Sequence, residues 1–205
     1  MLWAGAGVAW VLGGAWLLRR GVAGWSSIPQ AVRLPGGLLA LWLAWLAVAQ
    51  ARFVGINFLL SILVLVWVAD IFAYFAGRAF GGRVAAGKLA PSISPGKSWE
   101  GVWGGMAGVV TLAFLWAWAD RALGAGVASF YTRLAIHGGW LLLIAVLFMA
   151  AMSVVGDLVE SLIKRSAGVK DSSGLLPGHG GVLDRVDALL PTLPLAMMLV
   201  TLGRP

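Results

Sequence analysis

The run VGINFLLSILVLVWVADIFAYFA, residues 54–76, decides the fold class of this chain. It is as long as the stretch of about 20 apolar residues that a helix needs to cross a bilayer. Across all 205 residues, 60% are hydrophobic and 11% are charged, whereas a soluble protein is nearer half apolar and a quarter charged. The sequence therefore predicts an integral membrane protein.

Five further apolar runs accompany this one. We expect all six to be helices, because open strands cannot satisfy their backbone groups in lipid. The prediction is an all-α, polytopic transmembrane helical bundle of about six spanning helices, forming a single transmembrane domain over residues 1–205. The six runs cover approximately residues 2–18, 34–51, 54–76, 100–119, 135–158 and 188–203.

Two boundaries of these runs carry information. Little more than Arg52 and Phe53 separates the second run from the third, which predicts a tight helical hairpin. The first run is predicted to be a spanning helix and not a signal peptide, because Arg19 and Arg20 follow it, whereas a signal peptide has its positive region first. The chain has no cysteine, which excludes disulfides and cysteine-based zinc sites.

Basic residues collect in the connecting segments 19–33, 77–99 and 159–187, which hold three, four and four of the 15 lysines and arginines. Six alternating helices place these segments on one side of the membrane. The positive-inside rule then predicts that they are cytoplasmic and that the N-terminus is outside. The formal charge of +7 is explained by this topology and by contact with anionic lipids, without a nucleic-acid partner.

Acidic residues are concentrated still more strongly. Seven of the eight lie in or beside the second and third basic segments, and only Asp120 is on the far side. Asp70 lies inside an apolar run and Asp157 ends another. Because an ionisable residue at membrane depth is costly, each is a functional-site hypothesis. The alternative is a carboxylate that pairs with a loop arginine to hold helices together.

The densest polar stretch is DLVESLIKRSAGVKDSSGLLPGHGGVLDRVD, residues 157–187. Its first part is predicted to be helical, with Asp157, Ser161 and Lys164 on one face at spacings of four and three. Glu160 lies beside Asp157.

The rest of this stretch changes character. Gly, Ser and Pro from Gly168 to Gly181 predict a loop. A second helix is expected to begin near Leu183, which would bring Asp184 and Asp187 onto one face.

The carboxylates, cations, hydroxyls and glycines of residues 157–187 suit metal-assisted phosphoryl or nucleotidyl transfer. Mg²⁺ binds carboxylate oxygens together with substrate phosphates, and glycines let backbone N–H groups approach an anion. The alternative is a polar surface loop with solvated charges. Four cations of the stretch could neutralise phosphate oxygens: Lys164, Arg165, Lys170 and Arg185.

A second polar stretch runs from Asp70 to Glu100. Asp70, Tyr74 and Arg78 are spaced by four and would share one helix face. The run ISPGKSWEG, residues 93–101, offers Ser94, Lys97 and Ser98 as hydrogen-bond donors to phosphate. Glu100 opens the next helix, where an acid complements the helix dipole.

Two other patterns receive a plain structural interpretation. GRVAAGK, residues 82–88, matches GxxxxGK, but Leu89 follows in place of Ser or Thr and a membrane helix precedes it, so we reject a P-loop. The spaced glycines from Gly101 to Gly108 predict close helix packing. His137 is interpreted as an interfacial residue, while His179 is a candidate phosphate contact.

The run SLIKRSAGVKDSSGLLPGHGGVLDRVD, residues 161–187, resembles the family signature of phosphatidate cytidylyltransferases. WVADIFAYFAGRAFGG and ISPGKSWEG also resemble that family's cytoplasmic segments, so that the resemblance covers roughly residues 60–200. It implies synthesis of CDP-diacylglycerol and diphosphate from CTP and phosphatidic acid with Mg²⁺, by an inner-membrane enzyme that is often a homodimer. It also implies about three preceding helices, an odd number that agrees with an outside N-terminus.

The resemblance implies a metal-binding role for Asp157 and Asp184. We interpret Asp157, Asp184, Lys164, Arg165 and Lys170 as catalytic. The predicted substrate-binding residues are Asp70, Arg78, Ser94, Lys97, Ser161, Asp171, His179, Arg185 and Asp187.

Two alternatives remain open at this stage. One is a related CTP-dependent transferase that acts on another lipid phosphate or a polyprenol. The other is an ion-coupled transporter, in which Asp70 and Asp157 would serve coupling. Against the transporter, the acids cluster at one end and the sequence shows no inverted repeat.

Overall fold

The computed structural model describes residues 1–85, 87–178 and 180–202. The chain is mainly helical, with one two-stranded sheet. Its elements are α1 (Leu2–Val8), a π-helical segment (Ala9–Gly13), α2 (Gly14–Ser26), α3 (Gln30–Val54), α4 (Ile56–Phe80), β1 (Lys88–Ala90), β2 (Ser94–Ser98), α5 (Trp99–Ala122), α6 (Phe130–Ala135), α7 (Gly139–Ser166), a 3₁₀ turn (Leu183–Arg185) and α8 (Leu189–Leu202).

Five helices within the described ranges are long and apolar enough to cross a membrane, which confirms the helical membrane bundle. They are Leu2–Ser26, which combines α1, the π-helical segment and α2, together with α3, α4, α5 and α7. The sixth predicted span is shorter than expected. α8 has 14 described residues, about 21 Å at 1.5 Å per residue, against a hydrocarbon core of about 30 Å.

The segment 77–99, predicted to be a loop, contains the sheet. β1 and β2 are antiparallel, with Lys88 opposite Ser98 and Ala90 opposite Ser94. The pair forms a short hairpin that leads directly into α5. Its backbone hydrogen bonds therefore fix the position of Lys97 and Ser98 relative to the helix that follows.

The predicted tight hairpin between the second and third runs is confirmed. Gly55 alone separates α3 from α4, and its φ of 145° is a backbone conformation that favours glycine. A Cβ at this position would also lie 2.6 Å from Val127 Cγ1. Sterics as well as backbone conformation therefore favour Gly at this turn.

The glycines of α5 let it pack closely against α4, as predicted. A Cβ on Gly101 would lie 3.0 Å from the carbonyl oxygen of Ala73, and one on Gly105 would lie 2.8 Å from that of Ala69. Any side chain would push the two helices apart. This close contact brings Asp70, Tyr74 and Arg78 of α4 next to the start of α5.

The bundle has two distinct polar ends. Beneath the hairpin, Ile93 packs with Leu158 and Leu162 of α7, and Leu18 and Trp25 of α2 pack against this cluster. The α2–α3 connection, the hairpin and the C-terminal end of α7 therefore share one end, which we call the signature end. The three basic segments meet there, as predicted. The opposite end, called the far end, contains Gly55, Asp120 and Ser129.

Candidate active site

A polar cavity of about 440 Å³ opens at the signature end. It lies between α4, α5, α7 and the hairpin. Arg78 Nη1 donates a hydrogen bond to Tyr74 Oη over 2.9 Å, which agrees with the predicted shared helix face. The polar residues that line the cavity are Asp70, Tyr74, Arg78, Lys97, Ser98 and Asp157.

Lys97 and Asp157 join the two polar stretches, residues 70–100 and 157–187, inside this cavity. The Lys97 ammonium forms an ion pair with Asp157 Oδ2. Ser161 Oγ donates to Asp157 Oδ1 over 3.3 Å from the next turn of α7. The Asp157 side chain remains 31% exposed, so its carboxylate is held in place and still accessible from the cavity.

A second charged cluster lies beside the cavity, between α7 and the loop that follows it. Lys164 Nζ contacts Glu160 Oε2 at 2.5 Å and Asp184 Oδ1 at 2.6 Å. Asp184 Oδ2 accepts hydrogen bonds from Ser172 Oγ at 2.8 Å and from Gly181 N at 2.6 Å. Asp184 therefore connects the loop from Ser172 to Gly181 with the cation on α7.

These contacts also determine the protonation of Asp184. Burial acts to raise its pKa, but the hydrogen bonds from Lys164, Ser172 and Gly181 outweigh burial and hold the pKa below the usual range. Asp184 is consequently ionised at neutral pH, and its negative charge organises the loop.

The prediction of one helix face carrying Asp184 and Asp187 is wrong. A 3₁₀ turn covers Leu183–Arg185 and α8 begins only at Leu189. Pro191 fits a helix start there, because its missing N–H would have no partner in the first turn. The two aspartates consequently belong to different parts of the site.

Asp187 lies on the Asp157 side of the cluster. Its Oδ1 accepts a hydrogen bond from Ala188 N at 2.7 Å. Burial and the negative charge of Asp157 raise the pKa of Asp187 to about 7. The pKa of Asp187 is thus shifted in the opposite direction from that of Asp184.

Arg165 connects the hairpin to α7. Its Nε donates to Ile93 O at 3.4 Å and its Nη1 donates to Val169 O at 3.3 Å. The backbone partners indicate a positioning role, whereas the sequence predicted a catalytic one.

The other predicted site residues do not line the cavity. Ser94 lies opposite Ala90 in the hairpin. Lys170 and Asp171 are exposed on the loop that follows α7, which we call the signature loop, and Arg185 is exposed on the 3₁₀ turn. His179 lies outside the described residues. The structure thus brings together Asp70, Arg78, Lys97, Ser161 and Asp157 around the cavity, with Lys164 and Asp184 beside it.

Glu100 has a role that the sequence did not reveal. Its Oε1 accepts hydrogen bonds from the backbone N–H groups of Gly82, Val84 and Ala85 at 3.0, 3.1 and 3.0 Å. These amides belong to the GxxxxGK-like segment, and they bind an internal carboxylate, in agreement with the rejection of a P-loop. The available signal was an acid at a helix start shortly after a glycine-containing loop.

Comparison with known proteins agrees with this geometry. The model of the cytidylyltransferase family matches residues 5–202. This chain belongs to that family. The match confirms the resemblance drawn from residues 161–187.

Curated relatives of this cytidylyltransferase-family chain are named phosphatidate cytidylyltransferase. The one from Haemophilus influenzae is 49% identical over 140 residues, which are 68% of this chain and 44% of the relative. The one from Pseudomonas aeruginosa is 43% identical over 164 residues, 79% of this chain and 55% of the relative. The chain therefore spans about half the length of the curated relatives that it matches.

The donor set of this family member suits a hard cation. Asp157 and Asp184 each contact a lysine ammonium, so positive charge is already favoured at both carboxylates. Within the described residues, no group of three or more His, Asp and Glu side chains is placed to hold a metal ion. Mg²⁺ commonly uses one or two protein carboxylates and completes its shell with water and substrate phosphate. The residues therefore fit Mg²⁺ that arrives with a nucleotide.

Proposed function

We propose that this chain transfers a cytidylyl group from CTP to phosphatidic acid, giving CDP-diacylglycerol and diphosphate for phospholipid synthesis. The observation that carries the proposal is the ion pair between Lys97 and Asp157. This ion pair joins the hairpin and α7 in the polar cavity at the signature end of the bundle. Curated relatives are named phosphatidate cytidylyltransferase.

The reaction brings two anions together. A phosphate oxygen of phosphatidate attacks the α-phosphorus of CTP in line, a new P–O bond forms, and the bond to the β-phosphate breaks to release diphosphate. A phosphate monoester has its second pKa near 6, so phosphatidate is already largely ionised. A strong general base is therefore unnecessary, and charge neutralisation is the main task.

The cavity supplies that neutralisation. Lys97 and Arg78 line it and can bind phosphate oxygens of CTP. Lys164, which lies two turns after Asp157 on α7 and contacts Glu160 and Asp184, would take further charge. Asp157 and Asp184 would hold Mg²⁺, which would supply charge neutralisation at the triphosphate.

Positions of several groups must change for this binding. Lys164 contacts Asp184 Oδ1, so its ammonium would have to leave this oxygen before Asp184 could hold Mg²⁺, and Lys164 would then be available to a substrate phosphate. Lys97 would likewise leave Asp157 for a phosphate. The two lysines would then exchange an internal carboxylate for an anionic ligand, with no net change in the charge of the protein.

We further propose that the chain lies in the inner (plasma) membrane as a multi-pass protein, with the signature end in the cytoplasm. Support comes from the three basic segments, which share that end of the bundle. CTP is a cytoplasmic nucleotide, which agrees with this orientation. The homodimer implied by the family resemblance stays a prediction.

The direct test uses the purified chain in detergent with labelled CTP and phosphatidate. We expect labelled CDP-diacylglycerol that requires Mg²⁺ and is lost with EDTA. Ether-linked phosphatidate and polyprenyl phosphate, assayed side by side, distinguish a related transferase. Absence of any cytidylyl lipid from folded protein would contradict the proposal, and nucleotide-independent ion uptake into liposomes would favour a transporter.

A further inference from the structure

A second cavity, of about 410 Å³, lies on a different face of α7 from the polar cavity. It is an apolar groove between the first span, α3, α7 and α8, and we call it the side groove. The residues of the side groove used below are Gly13, Trp25, Arg33, Gly37, Leu43 and Glu160.

One end of the side groove carries charge. Arg33 Nε is buried and has no hydrogen-bond partner within the part of the chain that the structure describes. Its guanidinium lies 5.8 Å from the ring of Trp25. A buried, unpaired donor of a cationic group is costly unless an anion meets it. Arg33 therefore favours an anion next to its guanidinium, at a groove that Glu160 also lines.

The same end of the side groove reaches the charged cluster of Glu160, Lys164 and Asp184. Glu160 lines the groove and pairs with Lys164, which also binds Asp184. Asp157, which lines the polar cavity, precedes Glu160 by three residues on α7, so the groove and the polar cavity lie on two faces of the same part of this helix. A ligand in the groove would have its polar end next to the residues proposed to carry out the reaction.

The depth of the side groove matches half a bilayer. Along α3 it extends from Arg33 to Leu43, which is about 15 Å of helix at 1.5 Å per residue. The hydrocarbon core is about 30 Å thick. The groove therefore runs from the signature end to approximately the middle of the membrane, which is the depth of one leaflet.

The walls of the side groove are shaped by backbone features. A Cβ on Gly13 or on Gly37 would meet no atom within 4 Å, so the missing side chains leave open space on opposite walls. Gly13 ends the π-helical segment Ala9–Gly13. π-helical segments are uncommon and occur frequently at functional sites.

We propose that the side groove binds an acyl chain of phosphatidate, with the lipid phosphate between Arg33 and Lys164. This inference rests on the proposed function and adds the location of the lipid substrate. The acyl chain lies along Gly13 and Gly37 at the depth of the leaflet nearest the signature end. The headgroup then approaches the nucleotide across α7, beside Asp184.

Binding of a fluorescent phosphatidate to the purified full chain, without CTP, tests this location. Gly13→Leu and Gly37→Leu fill the groove from opposite walls, and Arg33→Gln removes the positive charge. We expect each to weaken binding at least about 10-fold, as for a lost charge-assisted hydrogen bond or a blocked site. Gly5→Leu is the matched control, because Gly5 is exposed, has open space and lies outside the groove.

Three further measurements make the outcome specific. Phosphatidylcholine with the same acyl chains should not displace the probe, because its headgroup is zwitterionic. The KM for CTP should stay unchanged in Gly37→Leu while the KM for phosphatidate rises. Thermal unfolding of each variant identifies any that fails to fold, in which case the remaining variants decide.

Unchanged phosphatidate binding in the folded groove variants would overturn the proposal. So would equal weakening by the Gly5→Leu control. Failure of the proposed function has a different signature, because binding is measured without CTP. If the chain binds phosphatidate in the groove but makes no CDP-diacylglycerol, the proposed lipid site is supported and the proposed reaction is contradicted.

Discussion

The two ends of the bundle hold aspartate in opposite ways. At the signature end, Asp157 and Asp184 each contact a lysine ammonium beside a cavity or loop. At the far end, Asp120 accepts hydrogen bonds from neutral donors: Asn57 Nδ2 at 2.9 Å, Ser129 N at 3.0 Å and Thr132 Oγ1 at 2.6 Å.

Because of this difference, we expect the contacts of Asp157 and Asp184 to exchange when a ligand binds and those of Asp120 to stay fixed. Neutral donors on α4 and at the start of α6 hold Asp120 in a network, and Asn57 Oδ1 extends it by accepting from Trp116 Nε1 at 3.0 Å. Lysine side chains are long and flexible, so under the proposed function Lys97 and Lys164 would be able to leave these carboxylates for a substrate phosphate. Acidic residues in one membrane protein can therefore have structural or functional roles according to the donors around them.

The largest effect expected from single substitutions in the hairpin is that of Lys97→Met. Lys97 lines the cavity and pairs with Asp157, so its loss removes a phosphate-binding charge. We expect CDP-diacylglycerol formation to fall about 100-fold, in the range found when one stabilising donor is removed. Lys88→Met is the control on the same hairpin, because Lys88 Nζ is exposed and donates to Pro95 O. Equal losses in both variants would contradict a specific role for Lys97.

Asp120→Asn tests the far end. The substitution keeps the shape of the side chain but removes the charge that three donors share. We expect a loss of about 2 kcal/mol, which corresponds to about 4–8 °C in Tm for a domain of this size. Thermal unfolding in detergent measures it, with Asp171→Asn on the exposed signature loop as the control. An unchanged Tm would show that the network is not a structural lock.

Glu100→Gln tests whether the carboxylate holds the loop before the hairpin. The three backbone amides lose a charged acceptor, so hydrogen exchange at Gly82, Val84 and Ala85 should become faster. We expect activity to fall about 10-fold through misplacement of the hairpin. The amide of Ser172, held by Asp184, should exchange as in the wild type. Unchanged exchange at the three amides would exclude this role.

The last prediction concerns the pH dependence of stability at Asp187. The pKa of Asp187 is raised to about 7 by burial and by Asp157, whereas the unfolded chain ionises this group near 3.9. A raised pKa contributes stability that is present below about pH 4 and lost as pH rises toward 7. Asp187→Asn stays neutral and avoids that loss. The Tm difference between the variant and the wild type, measured in EDTA, should be larger at pH 8 than at pH 5, and a constant difference would contradict this assignment.

Composition and spacing predicted much of the molecule because they act locally. Apolar length identified the five long helices, the short separation at Arg52 and Phe53 predicted the α3–α4 turn, and spacings of four placed Asp70, Tyr74 and Arg78 on one face. The α8 region was less predictable. The apolar run 188–203 located this helix, but a helix start near Leu183 was also expected, whereas α8 begins at Leu189, two residues before Pro191.

The contacts within the site depended on tertiary structure. Sequence spacing placed Ser161 next to Asp157, yet it could not show that Lys97 reaches Asp157 or that Lys164 bridges Glu160 and Asp184. The Lys97–Asp157 and Lys164–Asp184 pairs join residues that are distant in the chain, whereas Glu160 and Lys164 are one helical turn apart. The role of Glu100 was missed for the same reason, because a helix-opening acid looks the same whether it faces solvent or a backbone loop.

The contrast between the two ends is tested most directly by Asp157→Asn and Asp120→Asn in one assay of Mg²⁺-dependent CDP-diacylglycerol synthesis, normalised to folded protein. We expect Asp157→Asn to lose at least about 100-fold in activity while its Tm stays nearly unchanged. Asp120→Asn should keep most of its activity and lose stability. Near wild-type turnover by Asp157→Asn, or an activity loss in Asp120→Asn as large as that in Asp157→Asn, would contradict this expectation.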